Sequence, residues 1–101
     1  AVSLGLKGES IYAASKSGVE GFSRAFAREM ADFDISVNCI APGPIKTDLI
    51  RGVSEQQINK IISNQIFQKQ FTPEDVCDLV EMLINDSTRT LSGQVFHLGG
   101  A

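Results

Sequence analysis

A chain of 101 residues holds one domain at most, and 43% hydrophobic with 21% charged residues is the composition of a folded globular protein, not a disordered one. A net charge of −3 without any basic run argues against a nucleic-acid surface. No apolar run approaches membrane-spanning length, and the first residues carry no leader pattern.

Taken in chain order, residues 1–4 read as the tail of a strand or a post-strand loop, broken by Gly5 and Gly8. Ser10 is placed to cap a helix beginning near Ile11. Val19, Phe22, Phe26 and Met30 keep the helical period, which predicts an apolar stripe belonging to the core. Gly18, Gly21 and Ala25 add small side chains suited to close helix packing. Asp34 ends the helix. Residues 35–41 are β-rich and predict a buried strand running into Pro42-Gly43-Pro44.

Beyond Leu49 the sequence turns polar and glutamine-rich. Ser54 with Gln57 makes a capping-box pattern, followed by Ile58, Ile61, Ile62 and Ile66 at helical spacing. Thr72-Pro73-Glu74-Asp75 starts another helix, with an N-cap, proline at the first position and acids in the first turn. Its buried stripe is expected to be Val76, Leu79, Val80, Leu83 and Ile84. A polar loop over residues 86–90 leads to a last strand opened by Gly93. His97 lies alone in that strand and reads as structural or surface. Cys39 and Cys77 fall in a predicted strand and a predicted helix, so they read as buried reduced thiols, with no metal-ligand spacing. A soluble, cytoplasmic protein without a metal, a nucleic-acid partner or a membrane anchor is expected.

The chemistry concentrates at Tyr12-Ala13-Ala14-Ser15-Lys16. A tyrosine and a lysine four apart lie one above the other on a helix face. The ammonium favours the phenolate, which suits the phenol for giving a proton to a carbonyl oxygen or taking one from an alcohol. Taken alone, such a pair is an ordinary exposed turn. Likewise Pro42-Gly43-Pro44 alone is a turn and Thr47 a helix cap. A parallel strand running into a rigid loop, however, is where open α/β sheets bind ligands.

Three stretches together are more specific. Tyr12-Ala13-Ala14-Ser15-Lys16-Ser17-Gly18-Val19 resembles the active-site helix of the short-chain dehydrogenase/reductase family. Val37-Asn38-Cys39-Ile40-Ala41-Pro42-Gly43-Pro44-Ile45-Lys46-Thr47-Asp48 resembles its strand and nicotinamide loop, and Ser92-Gly93-Gln94-Val95-Phe96-His97-Leu98-Gly99-Gly100 its last strand. The pattern is most similar to 3-oxoacyl-acyl-carrier-protein reductases. The resemblance implies an α/β fold, the C-terminal part of a Rossmann-like doubly wound parallel sheet, with about two strands and three to four helices in this stretch. Residues 1–101 would be the C-terminal portion of one NAD(P)-binding domain, its N-terminal cofactor-binding half absent.

The resemblance also assigns roles. Tyr12 is the general acid/base, and Lys16 assists it and hydrogen-bonds the ribose. Pro42 and Gly43 shape the loop under the nicotinamide ring, with Ile45 offering its backbone and Thr47 its hydroxyl to the carboxamide or pyrophosphate. The cofactor is NADP or NAD, the substrate a small carbonyl or alcohol, and the intact enzyme a homo-oligomer to which the Tyr12 helix contributes. Residues 49–71 correspond to the variable substrate lid. The family's glycine-rich loop, partner serine and catalytic asparagine would precede Ala1, so Gly5, Gly8, Ser3, Ser10 and Asn38 do not take those roles. Two other readings stay open: a non-catalytic fragment acting only by association, and an unrelated small α/β module.

Overall fold

The computed structural model describes residue 8 and residues 10–45 and 54–100. Readings made for residues 1–5, for Thr47 and for the start of the polar segment lie outside the described residues. The element order is α1 (Ser10–Met30), a 3-10 turn (Ala31–Phe33), β1 (Cys39–Ala41), α2 (Glu55–Ser63), α3 (Pro73–Leu83), a second 3-10 turn (Asp86–Thr88) and β2 (Val95–His97). The two strands form one sheet. Cys39 N donates to Gln94 O (2.8 Å) and Leu98 N to Ala41 O (3.1 Å), so the numbering rises together and the pairing is parallel. The α/β class is as expected. The chain divides into two compact units, Ala1–Cys39 with Asn85–Val95, and Ile40–Ile84 with Phe96–Ala101.

In the first unit, α1 already contains Ser10, which is a helical residue and not the cap the sequence suggested. The helix ends as expected. After the 3-10 turn, Asp34 adopts a left-handed conformation (φ 59°, ψ 37°), its N–H donating to Ala31 O and that of Ile35 to Met30 O. Short polar side chains tolerate this conformation best after glycine. The strand expected over residues 35–41 shrinks to Cys39–Ala41. Ile35 is still tied to the helix exit, and Val37 N donates to the Ser92 hydroxyl (3.0 Å) instead of a ladder carbonyl. Asn38 replaces further ladder bonds: its Nδ2 donates to Leu91 O (2.9 Å), and its Oδ1 accepts from Gln94 N (3.2 Å).

Burial departs most from expectation. Val19 and Phe22 are exposed, although Phe22 stacks on Phe26 with centroids 5.2 Å apart. The buried residues of α1 are Ser23 and Ala27. The helix spans about 32 Å over its 21 residues, and nothing among the described residues covers its Val19 and Phe22 side.

In the second unit, Ser54 caps α2, its Oγ accepting from Gln57 N, which is the serine half of the capping box that the sequence suggested. It stops at Ser63, where Asn64 Nδ2 bonds Lys60 O (2.8 Å), so Ile66 leaves the helical stripe and is exposed. For α3, Thr72 N donates to Asp75 Oδ2 (2.8 Å), confirming the predicted start. Of its stripe, Val76, Leu79 and Leu83 are half-buried, while Val80 and Ile84 are exposed because no further layer covers them among the described residues. Cys77 shares that face-open helix and is exposed, correcting the expectation of a buried thiol; Cys39 is half-buried.

Candidate functional site

Helix α1 brings two of the candidate residues together by its own geometry. The residues from Ser10 to Ser17 include two alanines and no proline, which favours helix immediately around Tyr12 and Lys16. Their four-residue spacing then brings the side chains together: Lys16 Nζ lies 5.4 Å from the centroid of the Tyr12 ring. Tyr12 is 49% exposed and Lys16 is exposed, so phenol and ammonium both face outward where a ligand can reach them. The hydroxyl of Ser15 donates to Tyr12 O (2.8 Å), which occupies it with the backbone. Elsewhere on this helix Arg24 pairs with Glu20 at 3.7 Å.

The other candidate residues lie in the second unit and are described by themselves. Strand β1 runs into Pro42-Gly43-Pro44, where Pro44 is buried and Gly43 has φ +70°. Ile45 forms a parallel bridge with Phe71, which anchors the loop to the segment before α3. A Cβ at Gly43 would stand 3.0 Å from Gln65 Oε1, so the loop packs directly on that side chain. Thus Tyr12 and Lys16 are brought together, Pro42, Gly43 and Ile45 form a second group, and Thr47 lies outside the described residues.

Two polar residues organise these regions without having been expected to. Asn38 fastens the loop before β2, as described above. Gln65 is 9% exposed, and its Nε2 donates to Phe67 O (3.0 Å) and Lys69 O (3.1 Å). Composition offered only a run of glutamines around it, and nothing in that run marks which one turns inward. A cleft of about 430 Å³ in the first unit, lined by Arg24, Arg28, Arg89, Asp34 and Ser92 among others, contains none of the predicted site residues. His97 is exposed in β2. Among the described residues no helix is long and apolar enough to cross a membrane, and no cluster of His, Cys, Asp and Glu is arranged around a common point.

Similarity to known proteins now adds to this geometry. The family model described as Enoyl-(Acyl carrier protein) reductase matches residues 1–100. The chain belongs to this branch of the short-chain dehydrogenase/reductase family. The chain is 35% identical over 96 residues to the 3-oxoacyl-(acyl-carrier-protein) reductase FabG of Chlamydia muridarum, covering 95% of this chain and 39% of that protein. It is 34% identical over 97 residues to the protein of the same name from Escherichia coli K12, covering 96% and 40%. The crystal structure of a 3-oxoacyl-(acyl-carrier protein) reductase from Brucella melitensis superimposes with a TM-score of 0.76 at 30% identity, over 88% of this chain and 34% of that one. The short-chain dehydrogenase/reductase sequence here therefore spans about two fifths of the length of the curated relatives it matches. Its Rossmann-like α/β architecture is shared with the Brucella protein.

Proposed function

We propose that the protein carrying this sequence is an NAD(P)(H)-dependent oxidoreductase acting between a carbonyl and an alcohol, with a 3-oxoacyl thioester on a carrier protein as substrate. The observation that carries the reading is the exposed Tyr12 ring with Lys16 Nζ 5.4 Å from its centroid. Residues 1–101 are the later portion of one dinucleotide-binding domain in this reading, with the glycine-rich half supplied by sequence outside it. Similarity over about two fifths of each relative's length supports that division.

The residues present fit a nicotinamide nucleotide. A phenol and an ammonium stand together and accessible, and a narrow proline-glycine loop follows the carboxyl end of a parallel strand. When bound, the nucleotide supplies or accepts hydride at C4 of its ring. In the reducing direction Tyr12 gives its hydroxyl proton to the substrate oxygen as the carbonyl carbon gains hydride, so the tyrosine O–H bond breaks and the alcohol O–H bond forms. Lys16 offsets the phenolate left behind and holds the ribose hydroxyls. Solvent returns the proton to Tyr12. Pro42, Gly43, Ile45 and Thr47 hold the carboxamide end of the nucleotide. The whole enzyme assembles as a homo-oligomer, with the exposed Val19 and Phe22 of α1 at a subunit contact.

The family model's description names an enoyl reductase, whereas the named relatives reduce a 3-oxo group. A proton donor poised for an oxygen favours the 3-oxo substrate. Turnover of a 3-oxoacyl thioester against a 2-enoyl thioester separates the two. In the intact protein Tyr12→Phe is expected to lower turnover about a thousandfold while leaving nucleotide binding in place. Unchanged turnover would remove Tyr12 from the chemistry.

The large exposed apolar side chains of Ile11, Phe22, Ile66 and Ile84 favour a second reading, a chain that acts only by association. Failure of the intact protein to bind NADH or NADPH would select it.

A further inference from the structure

We propose that Gln65 is a positioning residue for the nicotinamide loop, its carboxamide setting the spacing between the turn after β1 and the turn after β2. The inference rests on the oxidoreductase reading above. All of its parts lie in one unit of the chain.

Gln65 is a polar side chain with 9% of its surface exposed, in a segment whose neighbours Ile66, Phe67, Gln68, Lys69 and Gln70 are all exposed. Burying a carboxamide is unfavourable unless its hydrogen bonds are made. Here both N–H groups are used, on the carbonyls of Phe67 and Lys69, so the side chain folds its own segment into a tight loop. That loop is tied to β2's exit by Phe67 N donating to Gly99 O (2.9 Å).

Two glycines then close on the carboxamide from opposite turns. A Cβ at Gly43 would lie 3.0 Å from Gln65 Oε1, and one at Gly99 would lie 2.9 Å from Nε2 and 2.7 Å from Phe71 Cε2. Both glycines have positive φ, +70° and +81°. The carboxamide is therefore wedged between the exits of two parallel strands, the end of an α/β sheet where ligands sit. Any displacement of it moves Gly43, and with Gly43 the backbone of Ile45 two residues on. The Gln65 carboxamide bonds backbone carbonyls and is met by the backbones of Gly43 and Gly99.

The test uses the intact protein with Gln65→Glu, which keeps the shape but removes both donors and sets a carboxylate against two carbonyls. Gln65→Met, of similar size and uncharged, serves if the glutamate variant fails to fold. Two ligands are titrated by calorimetry: NAD(P)H, and the matching adenosine diphosphate fragment lacking the nicotinamide half. Expected is about a tenfold loss of affinity for the whole nucleotide with the fragment's affinity unchanged, from two lost hydrogen bonds. A larger primary isotope effect with 4-deuterated nucleotide should accompany it, as hydride transfer limits the rate. Equal loss for both ligands means general destabilisation and overturns the proposal, as does unchanged binding of both. If the unmutated protein binds neither ligand, the oxidoreductase reading itself fails and this inference with it. Normal binding by the unmutated protein confines a negative result to Gln65.

Discussion

The first turn of α1 and the Pro-Gly-Pro loop are assembled in opposite ways. Tyr12 and Lys16 meet because they are four residues apart on one helix, so a local sequence rule fixes their geometry. Gly43 gets its surroundings from Gln65, and the segment that packs there is held by Phe71 and Gly99, residues more than twenty positions away. A locally built site tolerates changes elsewhere and is sensitive only to its own side chains. A site built from distant segments is sensitive to every contact that sets its spacing.

Substitutions sharpen that contrast. Lys16→Met in the intact protein should cost about a hundredfold in turnover, with a rise in KM for the nucleotide, and leave thermal stability nearly unchanged. Steady-state kinetics beside a melting curve checks both halves. A matching loss of stability would mean that the pair is structural. In the other region Gly99→Ala should behave the opposite way. Its methyl would meet Phe71 and Gln65 at 2.7–2.9 Å at a φ of +81°, costing about 1–3 kcal/mol of stability, read by denaturant unfolding. The smallest effect belongs to Gly18→Ala. A Cβ there meets nothing within 4 Å among the described residues, so helix propensity alone predicts a gain of about 0.5–1 kcal/mol. A loss instead, seen in the same unfolding experiment, would reveal another backbone packed against α1 in the assembled protein.

The same division explains what could be read from the amino-acid order. The Tyr12–Lys16 pair, the Ser54 and Thr72 caps and the arrest at Asp34 all depend on near neighbours, and all were legible. The apolar stripes were legible as stripes, yet their burial was not. Periodicity says which residues share a face but not whether anything covers it, and Phe22, Val80 and Ile84 remain uncovered. Ile66 fitted a helical period that Asn64 interrupts by bonding back to Lys60. Gln65 was invisible for a further reason. Its role depends on glycines at positions 43 and 99, whose proximity follows only from the pairing of β1 with β2. Side-chain substitutes for ladder bonds at Asn38 and Ser92 likewise arise only once those strands meet.

That pairing has a consequence for the order in which the protein is made. Val37 and Ser92 are 55 residues apart in the chain, and α2 and α3 lie wholly between the segments they join. During synthesis the Tyr12 helix leaves the ribosome long before residues 92–98 exist. It can wind at once, whereas strand β1 must wait without its neighbour until the closing segment arrives. Contacts of such wide separation form slowly, because the intervening chain loses its freedom before any bond repays it. Between the synthesis of β1 and that of β2 the nascent polypeptide thus carries β1 without this partner, and a chaperone that shields β1 until β2 emerges would raise the yield of native protein.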